Sequence, residues 1–292
     1  MDKLAKLGND VAYLWGKYSG SYLSGVWNTL SLAVAATFIG CLIGLACGVL
    51  QTIPRAKTDH PVKRVFLNLI HVVLRAYVEV FRGTPMILQA VFIRFALPYF
   101  TDNMMRMTVL QTAYLVVSIN TGAYMAESVR GGIISIDPGQ TEGAKAIGMT
   151  HVQTMTSVIL PQALRNIMPQ IGNNLIINIK DTSVMFIVGY TEFFAAHQAV
   201  VGATYKFFPS AVIEMVGYLT MTLVFSFLLR WVERRMDGSG SYELVQTDAL
   251  TMTAGTYQHP DKGTPFDERS REHEKNLREA RWSRNHSARG ER

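Results

Sequence analysis

Ionisable and amide side chains are sparse within the long apolar runs of this chain, and they are the first candidates for chemistry. Glu79 and Arg82 flank a Gly83-Thr84-Pro85 break in one run, with Gln89 and Arg94 just beyond it. Asn120, Tyr124 and Glu127 recur near helical spacing in the next run, which places them on one helix face. Lys180 and Asp181 are neighbours in a third run, and Glu214 lies near the start of a fourth. A charged group at mid-membrane costs roughly 3 kcal/mol on insertion scales, so such residues pair, line a polar path, or sit at the interface. As a path, Glu79 or Glu127 offers acceptors to a cation, while Arg82 or free amides at the break offer donors to an anion. As glue, the same groups pair across helices. Both readings stand for each charged residue, and Asn120 and Tyr124 are the better candidates for lining a cavity. Lys180 and Asp181, adjacent on a helix, do not face each other, which favours packing or gating over solute contact.

Nothing in the sequence assembles a catalytic centre. There is no GxxxxGK[ST] phosphate loop, so nucleotide hydrolysis is not expected of this chain. Cys41 and Cys47 are the only cysteines and share one apolar run, which reads as packing rather than metal ligation. His71 and His151 lack ligand-like spacing. No metal or cofactor is expected in this chain.

The elements that must position these groups are membrane helices. Of 292 residues, 49% are hydrophobic and 17% charged, below the roughly 25% charged usual for soluble domains. Five runs approach the roughly 20 residues that cross a bilayer core as helix. They cover about residues 26–50, 65–97, 108–129, 171–188 and 211–231. The second is too long for one straight crossing and too short for two, so one crossing with the Gly-Thr-Pro break inside it or at its end is expected. Proline and glycine kink or unwind a helix there, and irregular backbone at membrane depth is tolerated only in protein or along a cavity. A simple interfacial turn is the alternative. The first run begins too late, and is too long, for a cleavable signal peptide.

Loop charges set the orientation. Arg55, Lys57, Lys63 and Arg64 lie between the first two runs against Asp59 alone, and Arg230, Arg234 and Arg235 follow the fifth. The positive-inside rule therefore places that loop and the C-terminus in the cytoplasm and, after five crossings, the N-terminus outside. The formal net charge of +6 comes from these flanks rather than the tail, since residues 239–292 hold nine Lys/Arg and nine Asp/Glu. A nucleic-acid partner is not expected. Three regions result: an extracytoplasmic N-terminal segment (1–25), a transmembrane domain (26–235), and a polar cytoplasmic tail (236–292) expected to be largely disordered.

The segment 137–161, DPGQTEGAKAIGMTHVQTMTSVILP, falls in the expected cytoplasmic loop and is dense in helix punctuation. Asp137 caps, Pro138 suits the first helical position, and Gln140 completes a capping-box pattern. Gly148 ends the helix in a left-handed turn, Thr150 with Gln153 starts a second helix, and Pro161 interrupts it. Ala144, Ala146 and Gly148 keep this element slim, while Ile147 and Met149 offer apolar contacts to a partner groove.

Glu142-Gly143-Ala144, then Gly148, then Val158-Ile159-Leu160-Pro161 resemble the EAA loop of ATP-binding cassette importer permeases. Gly143 replaces the first alanine of that pattern, and Val158 replaces an isoleucine. Tyr77 to Pro85, Asn120 to Glu127 with Arg130 to Ile133, and Ile179 to Ser183 are similar to segments of the polar amino acid permeases of this class. The resemblance spans about residues 23–235. It implies an all-α membrane protein of about five transmembrane helices with a cytoplasmic EAA coupling loop, the type I importer architecture, in the inner (cytoplasmic) membrane.

It also implies assembly. A cytoplasmic ATP-binding cassette ATPase would bind ATP and Mg and receive Glu142, Gly143, Ala144, Gly148, Leu160 and Pro161. A second permease subunit, identical or related, would complete the membrane unit amid lipid, and an extracytoplasmic solute-binding protein would deliver solute. Arg82, Gln89, Asn120, Tyr124 and Glu127 are the candidates along a path for a polar amino acid, whose ammonium needs acceptors and whose carboxylate needs donors. Glu142 either holds the loop's shape or meets the ATPase. The rivals are a stand-alone oligomeric channel or ion-coupled carrier, a membrane scaffold worked by its charged tail, and an intramembrane enzyme.

Overall fold

The computed structural model describes residues 2–53 and 60–236, and all regular structure among them is helical. In chain order the helices are α1 (Asp2–Gln51), α2 (Pro61–Gly83), α3 (Met86–Phe100), α4 (Val109–Ile134), α5 (Pro138–Ala146), α6 (His151–Val188), α7 (Phe193–Thr204) and α8 (Phe207–Met236). The tail expected over 236–292 lies, except for Met236, outside the described residues, as do Arg55, Lys57 and Asp59 of the first basic loop.

The N-terminal segment expected over 1–25 is not a separate piece. It continues into the first run as one 50-residue helix, about 75 Å long at 1.5 Å per residue and so more than twice the thickness of a bilayer core. No proline interrupts it, and its N-terminal half has its own buried face. Leu14 and Tyr22 are fully buried, and the Tyr22 hydroxyl meets that of Ser210 on α8 at 2.7 Å.

Helix α4 is the centre of the bundle, and it lies close on α1. Gly40, Gly44 and Gly48 form a stripe spaced by four on α1 that faces Thr121, Met125 and Val129, spaced likewise on α4. A Cβ at Gly44 would lie 2.3 Å from the Met125 Cβ. Helices in lipid gain little from the hydrophobic effect, so close van der Waals approach through small residues does the packing. Asn178 of α6 joins the pair: its amide donates to the hydroxyls of Thr37 on α1 (2.7 Å) and Thr121 on α4 (2.9 Å).

Pro161 does not interrupt its helix. A π-helical stretch at Met155–Ile159 precedes it, and the Leu160 amide donates to the Met155 carbonyl five residues back. The same device recurs in α3, where Phe92–Ala96 is π-helical and Leu97-Pro98 follows. A wider turn gives the proline ring room where it would meet the carbonyl four residues earlier, so the helix continues. Where α6 ends, Gly189 adopts φ +88° and α7 leaves at a 52° bend. By length and composition two described helices can cross a membrane, spanning Lys3–Gln51 and Phe207–Arg235, and α6 with α7 adds a third if the bent pair is one span. The run expected at 171–188 is the C-terminal half of α6, which begins 20 residues earlier; the run expected at 211–231 lies within α8.

Candidate functional site

The polar site is built on the break between α2 and α3. The Gly-Thr-Pro sequence leaves helical geometry there: Thr84 is extended (φ −119°, ψ 145°), and so is Pro85 (φ −62°, ψ 134°). Pro85 has no N–H, so the Phe81 carbonyl four residues back loses its helical donor. Two side-chain amides replace it. Gln89 Nε2 donates to that carbonyl at 2.9 Å and Asn120 Nδ2 at 3.0 Å. Gln89 also donates to the Thr84 carbonyl (3.0 Å) and hydroxyl (2.9 Å), and its own oxygen accepts from Asn120 at 3.2 Å. Broken backbone in a membrane helix persists only when neighbouring groups satisfy it in this way. The Tyr77 hydroxyl ties the same stretch to α4 by donating to the Ile119 carbonyl at 2.7 Å.

One turn toward the C-terminal end of α4, charge replaces amide. Arg82 pairs with Glu127, and its guanidinium lies over the Tyr124 ring, 5.2 Å from the centroid. The five path residues expected from sequence therefore form one cluster of two groups, Gln89 with Asn120 and Arg82 with Tyr124 and Glu127, which adjoin through the successive residues Phe81 and Arg82 and one turn of α4. Its two ends differ. Gln89 is buried, whereas Tyr124 and the Arg82–Glu127 pair are substantially exposed. Glu79 is exposed and joins no ion pair among the described residues. Arg94 donates instead to the Met107 carbonyl at 2.5 Å, bracing the far end of α3. Lys180 and Asp181 are both exposed at the end of the α-helical part of α6, away from this cluster's hydrogen bonds.

The second candidate element is α5 with the start of α6. Asp137 Oδ1 caps by accepting from the Gly139 amide at 2.7 Å, and Pro138 takes the first helical position. The capping box expected through Gln140 does not form; its side chain accepts instead from Gln162 of α6 at 3.3 Å, strapping the two helices together. Gly148 adopts φ +83°, and the Thr150–Gln153 box closes from both sides, at 2.8 Å and 3.3 Å. Ala144 is buried, while Glu142, Gly143, Ala146 and Gly148 are exposed and Ile147 is 80% exposed. Leu160 is half-buried and Pro161 exposed beyond the π-turn. Glu142 makes no hydrogen bond or ion pair among the described residues, so it does not hold the loop's shape by such a bond.

Sequence reasoning named only Glu214 of a third cluster, between α7 and α8. Glu192 is fully buried and accepts from the Phe194 and Ala195 amides (2.8 and 2.7 Å) and from the Tyr218 hydroxyl (2.9 Å). His197 Nδ1 lies 2.8 Å from the Ser210 hydroxyl and 3.5 Å from a Glu214 oxygen. Glu192 directly before the apolar run 193–204 was legible as an acid favourable at a helix N-terminus, though glutamate is not among the usual N-cap residues. Its partners on α8 were not, since they depend on tertiary packing.

Comparison with known proteins bears on the chain as a whole. Residues 64–238 match the model of the family described as binding-protein-dependent transport system inner membrane component. The glutamine transport system permease protein GlnP of Escherichia coli (strain K12) is 36% identical over 214 residues, which is 73% of this chain and 92% of that protein. The probable amino-acid permease protein YxeN of Bacillus subtilis (strain 168) is 33% identical over 71% of this chain and 88% of its own. Among solved structures, a crystal structure of an amino acid ABC transporter with histidines superposes with a TM-score of 0.66 at 34% identity, covering 75% of this chain and 95% of that one.

Proposed function

This chain belongs to the inner membrane components of binding-protein-dependent transport systems, and from that membership we propose that it is the permease subunit of an ATP-binding cassette importer for a polar amino acid. The observation that carries the substrate class is the meeting of Arg82, Glu127 and Tyr124 at one exposed face. A charged pair does not face lipid when water or protein is available. A zwitterion offers that pair an exchange: its carboxylate takes the guanidinium, and its ammonium takes the Glu127 carboxylate and the Tyr124 ring face. Both partners stay compensated throughout, so neither binding nor release strands a charge. The Gln89–Asn120 network holds the broken helix beneath them without using either charged group.

The α5–α6 turn serves as the docking element for the ATPase, with Glu142, Gly143, Ile147 and Gly148 presented to it and Leu160 and Pro161 carrying movement into α6. ATP and Mg belong to that partner. A second permease subunit, identical or related, faces the Arg82 side, and an external solute-binding protein delivers the amino acid. Basic residues at the start of α2 (Lys63, Arg64) and the end of α8 (Arg234, Arg235) support a cytoplasmic C-terminus, with the N-terminus outside. The test is purification of the tagged chain from its native membrane, followed by proteoliposome uptake with each class of polar amino acid. A P-loop ATPase at near-equal stoichiometry and ATP-dependent uptake are expected. An ATPase-free oligomer whose flux follows an ion gradient would overturn the reading.

A further inference from the structure

A cavity of about 490 Å³ lies behind the α5–α6 turn, between that element and the ends of α1 and α4. Its polar wall carries Arg130 from α4, Lys145 from α5 and His151 from α6, with Gln51 from α1 and Thr154 from α6. The rest of its lining is mostly apolar, with isoleucines of α4 and α6 and Met155. No acidic residue lines it, and none pairs with Arg130, Lys145 or His151 among the described residues.

A second, independent feature marks the same place. Gln51 Nε2 and the Thr154 hydroxyl are buried without a hydrogen-bond partner among the described residues, and Thr154 is 2% exposed. An orphaned buried donor costs roughly 1–3 kcal/mol, and native proteins leave few of them. Gln51 and Thr154 line the cavity beside cations without counter-charges, and rotation of their side chains would turn these shielded donors toward an acceptor bound there.

We propose that this cavity binds a phosphate-bearing anion. The cations, the amide and the hydroxyl can all donate, and a tetrahedral oxyanion accepts from several directions at once. Arg130 adds the fork geometry that suits phosphate. The apolar lining gives the carbon side of such an anion a place to lie, as in basic pockets at membrane-helix ends that take lipid head groups. An anionic phospholipid and free phosphate share this chemistry. Given the docking role of the α5–α6 turn, on which this step rests, a bound anion ties the turn to the ends of α1 and α4 and links docking to the composition of the membrane or cytosol.

The test uses the full chain with its ATPase, reconstituted in phosphatidylcholine nanodiscs. Phosphatidylglycerol is introduced in one arm and inorganic phosphate in the other, with bound ligand read by native mass spectrometry. Wild type is expected to retain one of the two, which identifies the source. In the double variant Arg130→Gln/Lys145→Gln its occupancy should fall by roughly tenfold or more. Thr154→Val, nearly isosteric and uncharged, should weaken it severalfold while the ATPase still co-purifies. Variants that bind both ligands as wild type does would overturn the proposal. So would failure of wild type to retain either ligand, and loss of the ATPase from the double variant would then show that the cations serve a protein partner. Failure of the wild-type chain to hold an ATPase sinks the docking role alone, since anion binding remains measurable on the chain itself.

Discussion

Arg82 and Glu127 pose the sharpest question at the scale of single residues, because glue and path predict different outcomes for the same pair. Their side chains are 37% and 44% exposed, so the pair contributes about 1 kcal/mol or less to stability. Glu127→Gln should therefore leave the melting temperature in detergent almost unchanged while reducing uptake by roughly tenfold, the loss expected of one charge-assisted contact. If the pair only fastened α2 to α4, Arg82→Gln/Glu127→Gln would recover uptake by removing the stranded charge. We expect no recovery in the double variant, measured in proteoliposomes beside both single ones. Gln89 makes the opposite prediction. It is buried and donates to two backbone carbonyls that the Pro85 break leaves open, so Gln89→Leu should cost about 1–3 kcal/mol of stability. A melting temperature equal to that of wild type would show that water or another donor satisfies those carbonyls.

Glycines decide the outcome at the scale of elements. At Gly44 a Cβ would overlap Met125, whereas at Gly16, on the same helix, nothing lies within 4 Å. Gly44→Ala should then destabilise by about 1–3 kcal/mol, as overpacking does, and Gly16→Ala should be neutral or slightly stabilising through its gain in helix propensity. Equal melting temperatures for the two would refute the close α1–α4 approach. Gly148 is different, since it meets no neighbour and is held at φ +83°. Aspartate tolerates that region better than most residues, so Gly148→Asp should insert and fold yet carry a charge into the docking turn. ATP hydrolysis without uptake is the expected phenotype, and normal uptake would count against docking there. Much of this element scale was legible beforehand: Asp137, Pro138, Gly148 and the Thr150–Gln153 box act locally, and local chemistry can be read along a chain. Gly40, Gly44 and Gly48 were equally visible as a small-residue stripe, but sequence alone does not name Met125 as the partner. Pro161 misled for a related reason. A missing donor is visible in sequence, whereas the π-turn that absorbs it depends on whether the preceding turn has room to widen.

For the whole molecule, the difficulty is that an isolated chain exposes two kinds of surface that a membrane treats in opposite ways. Helix α8 presents Leu219, Leu223 and Phe227 outward, as lipid contact requires. Around the break, Thr84, Arg82 and Tyr124 are exposed as well, and all three carry hydrogen-bonding groups that lipid cannot satisfy. The five residues of this cluster could be singled out in the sequence because polarity within an apolar run is costly wherever it points. Which side of the bundle they occupy was not legible, because helix rotation is set by packing such as the glycine stripe on α1. Two surfaces with opposite solvents lead to one experiment. With Cys41 and Cys47 replaced by alanine, Tyr124→Cys and Leu219→Cys would each be treated in native membranes with a small, charged thiol reagent. Tyr124→Cys should react, and added amino acid together with the solute-binding protein should slow it. Leu219→Cys should stay unmodified, because a charged reagent does not enter the hydrocarbon and a thiol there remains protonated. Reaction at both positions would mean that α8 faces water. Silence at Tyr124→Cys would mean that protein covers the Arg82 face, leaving the Arg82–Glu127 pair to fasten subunits rather than to pass solute.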